Sequence, residues 1–393
     1  MVMVNHSLSI GRFPFYWRTK GSVDSNKSIE TKMLGFELTY DPDFGFLKQR
    51  RSVELDEAIG SVYHLDHNIG YLQEGAEEFA TYGAEYLDVI WAALDRTSQK
   101  RDQLKVVDIG CGGGLVLNEI AKRFPYSKRY GVDPSPLAKR ASSQFGFELV
   151  NEFYPSKDRE AVADVDLFLH YDVLEHVADP LQTLKYIFDD LNVGGLLVFS
   201  VPDCSKSIEH GDISMCIHEH LNYFSVTSLK RLVEGAGFTD VKVFKGEHGG
   251  TLFCIAEKGT SCLTHKRQKR SLDQSFEFSQ FVERHELVCQ KLSKFLNEKG
   301  DTTIGFYVPL RSIPYITKLN FSGKFKFYDD SRFFKHRFLD GFENNKILCI
   351  DDLEAVPPEY TLIMTHAYGS LIKDKIEERS IDTRVVQINE FYE

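Results

Sequence analysis

Four glycines within five residues, Gly110, Gly112, Gly113 and Gly114, with Cys111 between the first two, are the densest chemical signal in the chain. Glycine lets a backbone turn tightly and approach a ligand closely. The apolar run Val106-Val107-Asp108-Ile109 before them reads as a buried strand. Leu115 to Phe124 after them has the apolar spacing of a helix. A second strand, Arg129 to Val132, ends in Asp133, 19 residues after Gly114. A glycine-rich strand-to-helix turn with an acid at that distance is the pattern of a nucleoside site, in which the acid accepts hydrogen bonds from ribose hydroxyls. The competing reading is a glycine turn that holds nothing.

A second group of reactive side chains lies in Ile217 to Ser225, IHEHLNYFS, where His218 and His220 flank Glu219 and are followed by Asn222 and Tyr223. A histidine near its ordinary pKa suits general-base work at neutral pH, and a neighbouring carboxylate can orient its ring. Three readings compete. A metal site is the weakest, because H-E-H is not the helical H-E-x-x-H spacing and the sequence sets no other tight ligand cluster beside it. The others are a loop of structural histidines and a catalytic base.

The elements around these groups alternate. After Asp133, FELV (147–150) reads as a strand, and Asp166 to His170 as the next, with Tyr171 to Val177 at its C-terminal edge. Ligands of open α/β sheets sit at that edge. Asp179 is a helix N-cap with Pro180 at the first helical position. LNVGGLLVFSVPD (191–203) is a fifth strand, 225–238 a helix, and DVKVFKG and GTLFCIAEK (240–258) two closing antiparallel strands. This order predicts a doubly wound α/β sheet of seven strands. A helical pattern at 77–94 precedes it, after a stretch rich in Tyr and His (Tyr63, His64, His67, Tyr71) that reads as a loop. Short strands at 32–40 and in the following DPDFGFL suggest a β-rich N-terminal cap packed by Phe13, Phe15, Phe36 and Phe44. HKRQKR (265–270) reads as a linker. A long helix at 271–300 leads into TTIGFYVP, KFKFYDD, NKILCIDDL, YTLIMTH and TRVVQI, the strands of a second, smaller α/β domain. The division expected is 1–75, 76–260 and 261–393.

Composition narrows the function classes. At 393 residues, two or three domains are the prior. A net charge of −11 argues against nucleic acid or an anionic membrane as partner. No apolar run is long enough to span a membrane, and the first residues lack a signal-peptide layout. Seven scattered cysteines with no C-x-x-C suit reduced thiols and a cytoplasmic setting.

Asp108-Ile109-Gly110-Cys111-Gly112-Gly113-Gly114, a D-x-G-x-G-x-G, resembles the first motif of class I S-adenosylmethionine (SAM) methyltransferases rather than the G-x-G-x-x-G of NAD sites. His218-Glu219-His220-Leu221-Asn222-Tyr223-Phe224-Ser225 and His248-Gly249-Gly250-Thr251 further resemble motifs of the sugar C-methyltransferases, which act on deoxysugars carried on a nucleotide diphosphate. The likeness covers Val106 to Glu257, and the C-terminal part is similar to that family's nucleotide-sugar-binding domain. The resemblance implies a class I methyltransferase fold with an N-terminal cap and a C-terminal α/β domain, with SAM as methyl donor; no metal is expected, because the sulfonium is already an activated donor. It implies SAM contacts at Asp108, Gly110, Cys111, Gly112, Gly114, Asp133 and Tyr171. His220 is the implied base with Glu219 beside it, and His176 stands where the family has a histidine after the fourth strand. Tyr223, His248 and Arg311 are the expected substrate contacts.

Three departures stand out. The family opens with a cysteine-bound zinc module, and here no cysteine precedes Cys111. Ile217 replaces a frequent Tyr. GFYVPLRSIPY (305–315), which contains Arg311, replaces a glycine- and lysine-rich loop. The function expected is C-methylation of a nucleotide-linked 4-keto sugar. O- or N-methylation and a SAM-binding protein without activity are the alternatives.

Overall fold

Val106 and Val107 are both fully buried, one toward each face of a sheet, which is why an uninterrupted apolar run forms a strand here. The computed structural model describes residues 7–15, 19–20, 33–63, 82–96, 103–157, 160–247, 250–260, 274–331, 334–339, 341–342 and 344–392. The chain starts with β1 (Ser7–Pro14), β2 (Thr19–Lys20), β3 (Met33–Asp41), β4 (Phe46–Gln49) and a helix, α1 (Val53–Tyr63), that the sequence reading did not include. The alternating part follows as α2 (Ala84–Asp95), β5 (Lys105–Ile109), α3 (Leu115–Arg123), β6 (Lys128–Val132), α4 (Pro136–Phe145) and β7 (Glu148–Val150). It continues with β8 (Val165–Tyr171), α5 (Pro180–Asp190), β9 (Leu191–Pro202), α6 (Ser205–His210), β10 (Asn222–Tyr223), α7 (Val226–Gly235), β11 (Thr239–Lys245) and β12 (Thr251–Glu257).

These strands form a seven-stranded sheet in the order β11-β12-β9-β8-β5-β6-β7. All are parallel except β12, which runs antiparallel to both neighbours. Strand periodicity sorts the core into two layers. Val106, Leu167, Leu169 and Val198 pack with Tyr86, Ile90, Leu117 and Ile120 of α2 and α3. Val107, Phe168, Leu197 and Phe199 pack with Leu184, Ile187, Leu229 and Leu232 of α5 and α7. Each such side chain contributes about 1.5–3 kcal/mol when fully buried. Asp179 caps α5 as its sequence position suggested, Oδ1 accepting from Gln182 N at 2.9 Å with Pro180 in the first turn.

After a 25-residue helix, α8 (Gln274–Glu298), come β13 (Ile304–Tyr307), α9 (Pro309–Lys318), β14 (Phe325–Tyr328), β15 (Phe338–Leu339), β16 (Ile347–Leu348), α10 (Ile350–Ala355), β17 (Tyr360–Ile363), α11 (Gly369–Glu378) and β18 (Arg384–Gln387). They build a five-stranded parallel sheet, β16-β14-β13-β17-β18.

The N-terminal strands do not stand alone. Their sheet, β1-β3-β4-β10, takes its fourth strand from Asn222–Tyr223, directly after H-E-H. Phe13 and Phe36 lie in one core with Phe281 of α8, Ile313 of α9 and Phe306 of β13. Phe44 packs instead against the core of the seven-stranded sheet, and Phe15 against Leu34 and Leu55. Among the described residues, no helix is long and apolar enough to cross a membrane. The loop around His64, His67 and Tyr71, the start of the 77–94 helix and the 265–270 linker lie outside the described residues.

Candidate active site

β5 sits at the switch point of the seven-stranded sheet, with β6 on one side and β8 on the other, so the turn that follows it opens into the crevice where such sheets hold ligands. Gly110 has φ +71°, and a Cβ there would stand 2.7 Å from Val173 Cγ2. Gly114 caps α3 at φ +68°, and a Cβ there would meet the Phe147 ring at 2.5 Å. Only glycine satisfies both the backbone and the space. The carboxylate of Asp133 holds this turn from the next strand: Oδ2 accepts from Gly112 N at 2.9 Å and Oδ1 from Ser135 N at 2.7 Å. Asp108 is buried at the end of β5, and burial, then the Asp133 charge, pushes its carboxyl well above the usual range. The Cys111 side chain packs into the core against Gly131, and burial raises its thiol pKa. Tyr171, at the end of β8, lines the cleft edge-on to Tyr86, ring centroids 5.2 Å apart.

H-E-H is divided by its fold. His218 is buried, stacked on Phe13 with centroids 4.3 Å apart, and its Nε2 donates to Phe13 O at 3.1 Å. Glu219 and His220 line the cleft. Burial raises the Glu219 pKa well above its ordinary value. Burial first, then His176 and Arg311, lowers that of His220 well below its own. No hydrogen bond from a described residue reaches either ring nitrogen of His220. Tyr223, expected to touch substrate, does not reach the cleft. It is fully buried, and its hydroxyl donates to Ile217 O at 3.0 Å and accepts from Ile217 N at 3.3 Å. Alternation along β10 turns it into the core behind H-E-H. His248 lies outside the described residues. Arg311, on α9, lines the cleft and donates to Ser214 O at 3.3 Å.

The loop after β8 meets the H-E-H loop. His176 Nδ1 donates to Glu219 O at 3.0 Å, and its ring lies edge-on to His220 with centroids 4.9 Å apart. Burial lowers the His176 pKa to about 4, against the carbonyl bond that raises it. Leu221 N and Asn222 N both donate to Glu175 O, at 2.7 and 3.0 Å. Asn222 Nδ2 donates to Val177 O at 2.7 Å.

Two acids here were overlooked in the sequence. Asp172, at φ +52°, accepts from Ser200 Oγ at 2.9 Å, and burial raises its pKa to about 6. Glu175 is 1% exposed, raised by burial and then by Asp172. Their place just past a strand's C-terminal end was the available signal. The expectation that no ligand cluster accompanies H-E-H is also corrected. Glu175 and His176 stand beside His220, brought there by the parallel pairing of β8 and β9.

The cleft has a volume of about 1170 Å³. Its far wall is the C-terminal edge of the five-stranded sheet, with Tyr307, Asp329, Asp330, His366 and Lys375. Asp330 accepts from Tyr307 Oη at 2.8 Å and from Lys375 Nζ at 2.5 Å.

The strand order, the glycine turn at the switch point and the acid after the neighbouring strand define a class I SAM-dependent methyltransferase domain. The residues fit that cofactor: the turn leaves room for close approach, Asp133 is an acceptor at ribose distance along the chain, and the buried acids Asp108 and Asp172 suit a cationic ligand. Residues 79–243 match the family model described as Methyltransferase domain. A ubiquinone biosynthesis O-methyltransferase of Ruegeria pomeroyi is 36% identical over 105 residues, which is 25% of this chain and 40% of that protein. A tRNA U34 carboxymethyltransferase of Helicobacter acinonychis is 27% identical over 175 residues, 39% of this chain and 62% of its own length. The chain thus spans less than two thirds of these relatives. Among solved structures, a putative O-methyltransferase from Nostoc punctiforme aligns at 19% identity and a TM-score of 0.38, over 52% of this chain and 67% of that one.

Proposed function

We propose that this chain methylates a carbon of a keto sugar carried on a nucleotide diphosphate. The observation that carries the reading is the cleft itself: the edge that fits SAM and the edge of a second parallel sheet line one cleft, and His220 is part of its lining. In that second sheet β13, α9 and β14 repeat the layout of a mononucleotide-binding half. Asp329 follows the second strand directly, 22 residues after Tyr307, as an acid does in nucleoside sites. Bound at the glycine turn, SAM would supply an electrophilic methyl group on a positively charged sulfur.

The chain's own residues then have separable roles. His220, neutral and with no hydrogen bond from a described residue on its ring nitrogens, takes a proton at a ring nitrogen from the carbon next to the ketone. Such positioned bases contribute about a hundred- to ten-thousandfold. Arg311 and Glu219, which line the same cleft, are the donors available to the enolate oxygen. His176 donates its Nδ1 proton to the Glu219 carbonyl, so it serves to hold the base loop in place. A second reading, O-methylation by the same base, is favoured by the names of the curated relatives.

The test is isotopic. In deuterated water, with a 4-keto sugar nucleotide and S-adenosylhomocysteine, the wild type should exchange the proton at the carbon to be methylated. His220→Asn should abolish exchange and methylation while SAM affinity is retained. NMR that places the new methyl on oxygen would overturn the proposal.

A further inference from the structure

Glu175, His176 and His220 offer one oxygen and two ring nitrogens that all lie within 4.8 Å of one another. Because His176 Nδ1 carries the proton it donates to Glu219 O, Nε2 is an acceptor. That nitrogen stands 3.5 Å from Glu175 Oε1. Glu175 is 1% exposed, and among the described residues neither of its carboxylate oxygens has a hydrogen-bond partner. An imidazole lone pair and a carboxylate facing one another repel unless a proton or a cation lies between them.

The spacing suits an ion. Two ligand atoms, each about 2.1 Å from a tetrahedral zinc, stand about 3.4 Å apart. An Nδ1–H donated to a backbone carbonyl is also the outer contact that orients a metal-binding imidazole toward its ion. All three side chains line the cleft, so a fourth position would face solvent or the acceptor. The charged groups near this point are Asp172, which favours a cation, and Arg311, which opposes one.

We propose that Glu175, His176 and His220 form a binding site for a divalent transition-metal ion such as zinc, and that its occupancy removes His220 from its role as base. The second half rests on the C-methylation reading. The first does not. On this proposal the ion is an inhibitor that must leave before the base can act.

The test uses the full chain carrying Cys349→Ser, because a separate group, His336, Cys349 and Asp352, also offers ligands. Chelator-treated protein is titrated with cobalt(II). One equivalent should give visible absorption bands of low-symmetry coordination. Glu175→Gln and His176→Asn, each checked for an unchanged melting temperature, should weaken binding by about tenfold or more. Absence of these bands, or affinity unchanged in both variants, overturns the site. In the methylation assay zinc should inhibit and chelator restore, and Glu175→Gln should need about tenfold more zinc. Cobalt binding with no inhibition by zinc would leave the site standing and count against His220 as base.

Discussion

Asp133 has two separable duties, and substitution can tell them apart. Its carboxylate accepts from Gly112 N at 2.9 Å and Ser135 N at 2.7 Å while 5% exposed, and it is the acceptor placed for the ribose. A hydrogen bond to a charged group is worth about 1.5–3 kcal/mol. Asp133→Ala leaves both the Gly112 and the Ser135 N–H without their acceptor, so stability should fall by at least that amount. Loss of the ribose acceptor should weaken SAM binding by a similar energy, about 10- to 150-fold. Asp133→Asn keeps one carbonyl oxygen for Ser135 N and turns an amide NH₂ toward Gly112 N. It should therefore lose less stability than Asp133→Ala yet still bind SAM at least about tenfold more weakly. Calorimetric titration gives the affinity and scanning calorimetry the stability. Asp133→Ala binding SAM within twofold of wild type, or Asp133→Asn binding like wild type, would refute the assignment.

Two further predictions concern the scaffold behind the base loop. Gly211 ends α6 at φ +69°, and a Cβ there would lie 2.2 Å from His285 N, in the backbone of α8. Gly211→Ala should cost about 2–5 kcal/mol from left-handed strain and overpacking, and an unchanged urea midpoint would count against this packing. His285 is fully buried, with Nδ1 3.2 Å from Gly211 O, and burial lowers its pKa to about 4. The unfolded chain binds a proton below about pH 6.5 that the folded protein refuses, so this histidine's contribution is whole above pH 6.5 and is lost as pH falls toward 4. Between pH 7 and 5 the loss is about 2 kcal/mol. His285→Gln should lessen the acid sensitivity of the urea midpoint by that much, and equal slopes in the two proteins would refute it.

Where a feature depends on residues close in sequence, it was legible before the fold. The strand–glycine–helix unit from Lys105 to Arg123 is such a case, since backbone sterics and apolar spacing over a few residues decide it. So is the Asp179–Pro180 start of α5. The doubly wound sheet of seven strands was legible from the alternation of strands and helices, and the fold supplied the strand order.

Other features required distant packing. IHEHLNYFS is equally rich in proton-transfer groups along its length, yet the fold spends His218 on Phe13 and Tyr223 on Ile217 and leaves Glu219 and His220 to the cleft. Which side chains turn inward depends on β10 pairing with β4, a register set by residues more than 170 positions earlier. Glu175 and His176 join His220 only because β8 and β9 lie side by side and the Glu175 carbonyl receives Leu221 N and Asn222 N. The sequence by itself determined a methyl-donor fold and its glycine turn, because those rest on local sterics and hydrophobic periodicity. The tertiary structure alone decided which acids and histidines share the cleft, because burial and lone-pair direction are properties of the packed whole.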